Sequence, residues 1–132
     1  MRKLTVMLAL IMALAFGSTA MAQETLKLGY GGALLGNLAS YGNSGFYGME
    51  YAVLKANASG GLLGKQIEII KEDDGCDPAL ASSAATKLAG SGVKLVLGHT
   101  CSGATASALS VYGKNMLLIS PSATEVSLTE DG

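Results

Sequence analysis

Gly98-His99-Thr100-Cys101-Ser102-Gly103-Ala104-Thr105-Ala106-Ser107 decides how this chain is read. It directly follows the apolar run Val93–Leu97 and opens a helical pattern that continues to about Lys114. A buried strand therefore stops, and a helix starts on small and hydroxyl-bearing residues. Ser102 is the expected N-cap, because its oxygen can accept from a backbone N–H two or three residues on. A helix start carries N–H groups without intrahelical partners and a partial positive charge, and Gly103 leaves the backbone open to close approach. That combination suits a small anion, a carboxylate or a phosphate.

The same strand–loop–helix unit recurs on either side. Leu26–Tyr30 alternates with Leu26, Leu28 and Tyr30 on one face, and Gln66–Glu72 places Ile67 and Ile69 together. Val93–Leu97 is the third strand. Met116–Ile119 is a near-continuous apolar run, as expected of a parallel strand covered on both faces. Between them lie three helical patterns. Phe46, Met49, Val53 and Ala56 recur over about Ser44–Asn57, and Leu80, Ala84 and Leu88 recur over about Pro78–Ala89. Thr105, Ala108, Leu109 and Tyr112 form the stripe of the third. Ser122 with Glu125, and Ser127 with Glu130, have capping-box spacing. Alternation of this kind predicts an α/β chain, an open parallel sheet with helices on both faces. In such sheets ligands sit beyond the carboxyl ends of the strands, where the strand order reverses. That selects the loops Gly31–Tyr41, His99–Gly103 and Ser120–Thr124.

The first 22 residues are read apart from the fold. Arg2 and Lys3 precede the 13-residue, largely apolar run Leu4–Phe16, and Ala20-Met21-Ala22 fits a small-x-small cleavage site before Gln23. This is the pattern of a secretory signal peptide, and the run is too short for a transmembrane span. Residues 23–132 then form the exported part. Of the nine basic side chains Arg2 and Lys3 leave with the leader, so seven basic face ten acidic groups, a net charge of −3. Without a basic cluster there is no footprint for nucleic acid.

Several motifs have a chemical and a structural reading. Gly31-Gly32-Ala33-Leu34-Leu35-Gly36 has phosphate-loop glycine spacing, but Asn37 and Leu38 stand where lysine and a hydroxyl residue are needed. Asp73, Asp74 and Asp77 could suggest a divalent cation. No further ligands follow at calcium-loop spacing, whereas Asp77 before Pro78 is a helix cap. Asn57-Ala58-Ser59 matches a glycosylation sequon and equally a helix-ending turn. Cys76 and Cys101, in an exported chain, suggest a bridge that contributes roughly 3–4 kcal/mol. The rival is a reactive Cys101, or a reactive Ser102, assisted by the single histidine, His99. The context of Ser102 is not a G-x-S-x-G elbow. No carboxylate pair, metal cluster or credible triad lies in the three loops, so neither catalytic residues nor a metal or cofactor is expected.

Five stretches carry a resemblance to a known family: Ala39-Ser40-Tyr41-Gly42, Ala58-Ser59-Gly60-Gly61, Asp73-Asp74-Gly75-Cys76-Asp77-Pro78, Gly98-His99-Thr100-Cys101-Ser102 and Ser120-Pro121-Ser122-Ala123-Thr124. Together they resemble the periplasmic binding proteins for leucine, isoleucine and valine that feed ATP-driven importers, within the type I periplasmic-binding-protein fold. The resemblance implies that the Ser102 hydroxyl and N–H hold the α-carboxylate of a free amino acid beside Gly103, helped by the Thr124 N–H. The Ser122 carbonyl and Thr124 hydroxyl would accept from its ammonium, Tyr41 would line the cleft, and Cys76 and Cys101 would form the family's disulfide. It further implies a monomer in the periplasm, partnered by a membrane permease. The chain reaches only into the first of two lobes that close by a hinge, so the second lobe, with the acidic group facing the ammonium, is absent. Leu35-Gly36-Asn37 departs from the family's usual polar residue, glycine and proline, and Ser122 stands where some members have alanine. The same fold binding a small amide or urea is the alternative.

Overall fold

The computed structural model describes residues 24–130. The leader and its cleavage after Ala22 lie outside the described residues. Four strands form one sheet: β1 (Leu26–Gly32), β2 (Ile67–Asp73), β3 (Leu95–Leu97) and β4 (Leu117–Ile119). The helices are α1 (Ala39–Ala58), α2 (Pro78–Gly90), α3 (Ser102–Tyr112) and the single turn α4 (Ser127–Glu130). The strand order is β2-β1-β3-β4, and every pair is parallel. Leu28 stands opposite Leu95 and Tyr30 opposite Leu97. The chain moves outward from β1 to β2, then returns to β1's other side as β3. The order thus reverses between β1 and β3, and their carboxyl ends open a crevice there.

Each sheet face has its own core. Leu28, Tyr30, Phe46, Met49 and Val53 pack with Ile67 and Ile69 under α1. Ala85, Leu88, Val93, Val96, Ala108 and Tyr112 pack with Ile70 and Leu118 under α2 and α3. The α/β architecture with helices on both faces is the one expected, and the α1 stripe is the one read from Phe46, Met49 and Val53. In α2 the stripe is rotated: Ala81, Ala84, Ala85 and Leu88 are buried, whereas Leu80 is 53% exposed. Three of the four buried α2 residues are alanines, and the fourth, Leu88, packs with Ala108 and Tyr112 of α3. Leu109 in α3 is only half-buried.

Two expectations are corrected at the edge. β4 is not covered on both faces, because Leu117 and Ile119 are 60% and 50% exposed on the outermost strand. The Ser122–Glu125 capping box does not form either. No helix starts there, and the Ser122 hydroxyl donates instead to the Thr100 carbonyl at 2.6 Å.

The acidic loop after β2 is consumed by the fold. Asp73 Oδ1 accepts from the Leu34, Leu35 and Gly75 N–H groups at 2.6, 3.2 and 3.3 Å, pinning the glycine-rich loop after β1. Asp77 is the N-cap of α2, accepting from Ala79 and Leu80 N–H at 2.8 and 2.9 Å, with Pro78 as first helical residue. Asp77→Ala should therefore destabilise the protein by about 1 kcal/mol in urea titration. Asn57 serves the fold in the same way: its amide donates to the Ile67 carbonyl at 2.9 Å and accepts from the Ile67 N–H at 2.8 Å, tying the end of α1 to β2.

Candidate functional site

The crevice is built by three chain segments leaving the sheet in the same direction. The first contributes Tyr41 from the opening turn of α1, 54% exposed. Its neighbour Gly42 packs on the loop after β1 so tightly that a Cβ there would lie 1.9 Å from the Ala33 carbonyl oxygen. That contact is anchored from below by the Tyr30 phenol, which donates to the Gly42 carbonyl at 2.5 Å. Burial pushes the Tyr30 phenol above its ordinary range, so it remains a donor.

The second segment is Gly98–Ser102. Cys101, not Ser102, is the N-cap of α3, with extended backbone angles of φ −100° and ψ 143°. The same residue is bridged to Cys76, with the Cα atoms 5.4 Å apart. Ser102 is thus the first helical residue. No side chain caps this helix, so the first-turn N–H groups of Ser102, Gly103 and Ala104 have no partner within it. The Ser102 oxygen accepts instead from the Thr124 N–H at 3.1 Å. A serine hydroxyl that accepts still has its hydrogen to donate.

The third segment, Ser120–Thr124, is tied to the second by hydroxyls. Ser120 Oγ donates to the His99 carbonyl at 2.6 Å and accepts from the Ala123 N–H at 3.0 Å. Between the segments lies a cleft of about 190 Å³ lined by Tyr30, Tyr41, Ser44, Gly45, Thr100, Pro121 and Ser122. It has room for a small molecule rather than a drug-sized one.

Of the residues read from sequence, Tyr41 and Ser122 line this cleft, and Ser102 and Thr124 meet through their own hydrogen bond. Gly103 is exposed and lies toward Pro78, where a Cβ would stand 3.6 Å from the proline ring. Thr100 and Ser120 lie in the loops selected from the sequence, but the sequence assigns neither a role of its own. A lone hydroxyl in a loop carries no periodic signal, and the fold shows Thr100 lining the cleft and Ser120 tying the two loops together. The nucleophile reading fails here. Cys101 has no free thiol, and His99 is 0% exposed with both ring nitrogens engaged, by Asp74 and Tyr112.

The sequence profile of the periplasmic binding protein family matches residues 25–132. The chain belongs to this family. Its parallel four-stranded sheet with helices matches the fold of solved periplasmic binding proteins. Among periplasmic binding proteins it is 42% identical to the Leu/Ile/Val-binding protein of Escherichia coli (strain K12) over 127 residues, 96% of this chain and 34% of that protein. It is 39% identical over 118 residues to the leucine-, isoleucine-, valine-, threonine- and alanine-binding protein of Pseudomonas aeruginosa, covering 89% of this chain and 32% of that one. The branched-chain amino acid transporter substrate-binding protein of Streptococcus pneumoniae, solved in complex with isoleucine, superposes with a TM-score of 0.78 at 42% identity. That match covers 82% of this chain and 32% of the other. The chain thus spans about a third of the length of the curated relatives it matches.

Proposed function

We propose that this chain is the opening part of an exported solute-binding protein that captures a free leucine-, isoleucine- or valine-like amino acid between two lobes. The complete protein then delivers it to the permease of an ATP-driven importer. It works as a monomer in the periplasm, after a signal peptide is cleaved behind Ala22, and it binds its ligand without transforming it. The observation that carries this reading is the uncapped start of α3, joined to the Ser120–Thr124 loop through Ser102 and adjoining a small cleft.

An α-carboxylate at that start meets the first-turn N–H groups of α3 and the Ser102 hydroxyl, whose oxygen is oriented by the Thr124 N–H. The ligand's ammonium then faces the Ser122 carbonyl and Thr124 hydroxyl, while the Ser122 hydroxyl stays committed to Thr100. Tyr41, Thr100 and Pro121 form this lobe's share of the side-chain pocket. The acidic partner of the ammonium, and the closure that excludes water, come from the second lobe. The likeness of relatives named for leucine, isoleucine and valine supports the ligand class.

Calorimetry on the complete protein tests this. Leucine, isoleucine and valine should bind; binding of small amides or urea in their place would establish the alternative ligand class. Ser102→Ala should weaken amino-acid binding by about 1.5–3 kcal/mol, the range for a hydrogen bond to a charged group. An unchanged dissociation constant would place the carboxylate elsewhere.

A further inference from the structure

Asp74, His99 and Tyr112 are shut away from solvent, with exposures of 0%, 0% and 2%, and none of them lines the cleft. His99 Nδ1 lies 2.5 Å from Asp74 Oδ2, and its Nε2 lies 3.0 Å from the Tyr112 hydroxyl. The other Asp74 oxygen accepts from the Cys76 N–H at 2.8 Å, at the disulfide. The ring also packs against Gly31, where a Cβ would come within 2.5 Å of His99 Cε1. Burial, together with the Asp74 charge, holds the Tyr112 phenol well above its ordinary range. A phenol O–H at this distance can donate to Nε2, and the imidazole proton then lies on Nδ1, facing the carboxylate.

The backbone of His99 inherits this fixed ring. Its carbonyl accepts from Ser120 Oγ at 2.6 Å and from Thr105 Oγ1 at 3.1 Å. Ser120 Oγ receives the Ala123 N–H, and the next residue, Thr124, reaches Ser102. An unbroken series of contacts thus runs from the buried carboxylate to the start of α3. We propose that Asp74, His99 and Tyr112 are positioning residues for ligand binding. By fixing the imidazole between a carboxylate and a phenol, they set the His99 carbonyl and hence the seat of the Ser120–Thr124 loop over Ser102. The effect on affinity rests on the function proposed above; the effect on the loop does not.

Tyr112→Phe keeps the aromatic ring in the core and removes only the hydroxyl. In the complete protein, nitrogen-15 NMR should find the wild-type His99 ring proton on Nδ1. In Tyr112→Phe the Ala123 N–H should exchange with water about tenfold faster, and leucine, isoleucine and valine should each bind about fivefold more weakly. Backbone N–H groups of α1 should exchange as before. Asp74→Asn should transfer the ring proton to Nε2, since the new amide nitrogen donates to Nδ1. Wild-type exchange at Ala123 together with wild-type affinity in Tyr112→Phe would reduce the three residues to a stabilising core network and overturn the proposal. Wild type failing to bind any of the three amino acids would sink the functional reading instead, while exchange at Ala123 would still decide the positioning.

Discussion

Gly98→Ala should cost the complete protein about 4 kcal/mol of stability, read as the shift of its urea unfolding midpoint. Two independent penalties meet at this residue. Its φ of +113° lies where a side chain is rarely tolerated, a strain of about 1–3 kcal/mol. A Cβ built there would also stand 1.9 Å from the Gly31 carbonyl oxygen, so β1 or the β3 exit must shift, an overpacking cost of about 1–3 kcal/mol. The shift is aimed at the site, because Gly98 N–H donates to Ile119 O at 2.9 Å and the next residue is His99. Affinity should therefore fall along with stability. Gly90→Ala is the control. It sits at the end of α2 with nothing within 4 Å of its Cβ and no positive φ, so it should be neutral or slightly stabilising. Equal losses in the two variants would mean that generic glycine chemistry, rather than the contact with Gly31, sets the effect.

The readings that survived folding are those a short local signal can encode. The period of Phe46, Met49 and Val53 defines the face of α1 that is buried, and Asp77-Pro78 marks the start of α2 to the residue. What escaped the sequence depends on contacts made across the chain. The first turn of α1 begins at Ala39, five residues before the expected Ser44, ahead of the apolar stripe that starts at Phe46. In the fold Gly42 and Gly45 let that turn lie against Ala33 and Tyr30. β3 shrinks from Val93–Leu97 to Leu95–Leu97, since only those residues have partners in both β1 and β4. At the site, the electropositive helix start was legible but the identity of the cap was not. Serine is the better capping residue in isolation, yet the N-cap is Cys101, a residue bridged to Cys76 across the chain. His99 was visible only as a possible base. Its role appears once Asp74, 25 residues away, and Tyr112, 13 away, are folded onto its ring.

Replacing both cysteines by alanine should cost about 3.5 kcal/mol, the loop-closure estimate for residues 25 positions apart. That figure is entropic and belongs to the unfolded chain, yet the folded ends of the bridge add terms of their own. Cys76 has φ +60°, a conformation that costs alanine about 1–2 kcal/mol and glycine almost nothing. Cys101 is an N-cap without a capping hydrogen bond, and a serine there can accept from the first-turn N–H groups, about 1 kcal/mol better than alanine. Cys76→Gly with Cys101→Ser should therefore recover about 2 kcal/mol relative to the double alanine variant, although neither pair can form a bridge. Ligand affinity should not recover with stability, because a serine cap at 101 takes up the first-turn N–H groups that the proposed carboxylate would use. If the glycine–serine pair unfolds at the same urea concentration as the alanine pair, neither the positive φ at 76 nor a side-chain cap at 101 contributes measurably to stability.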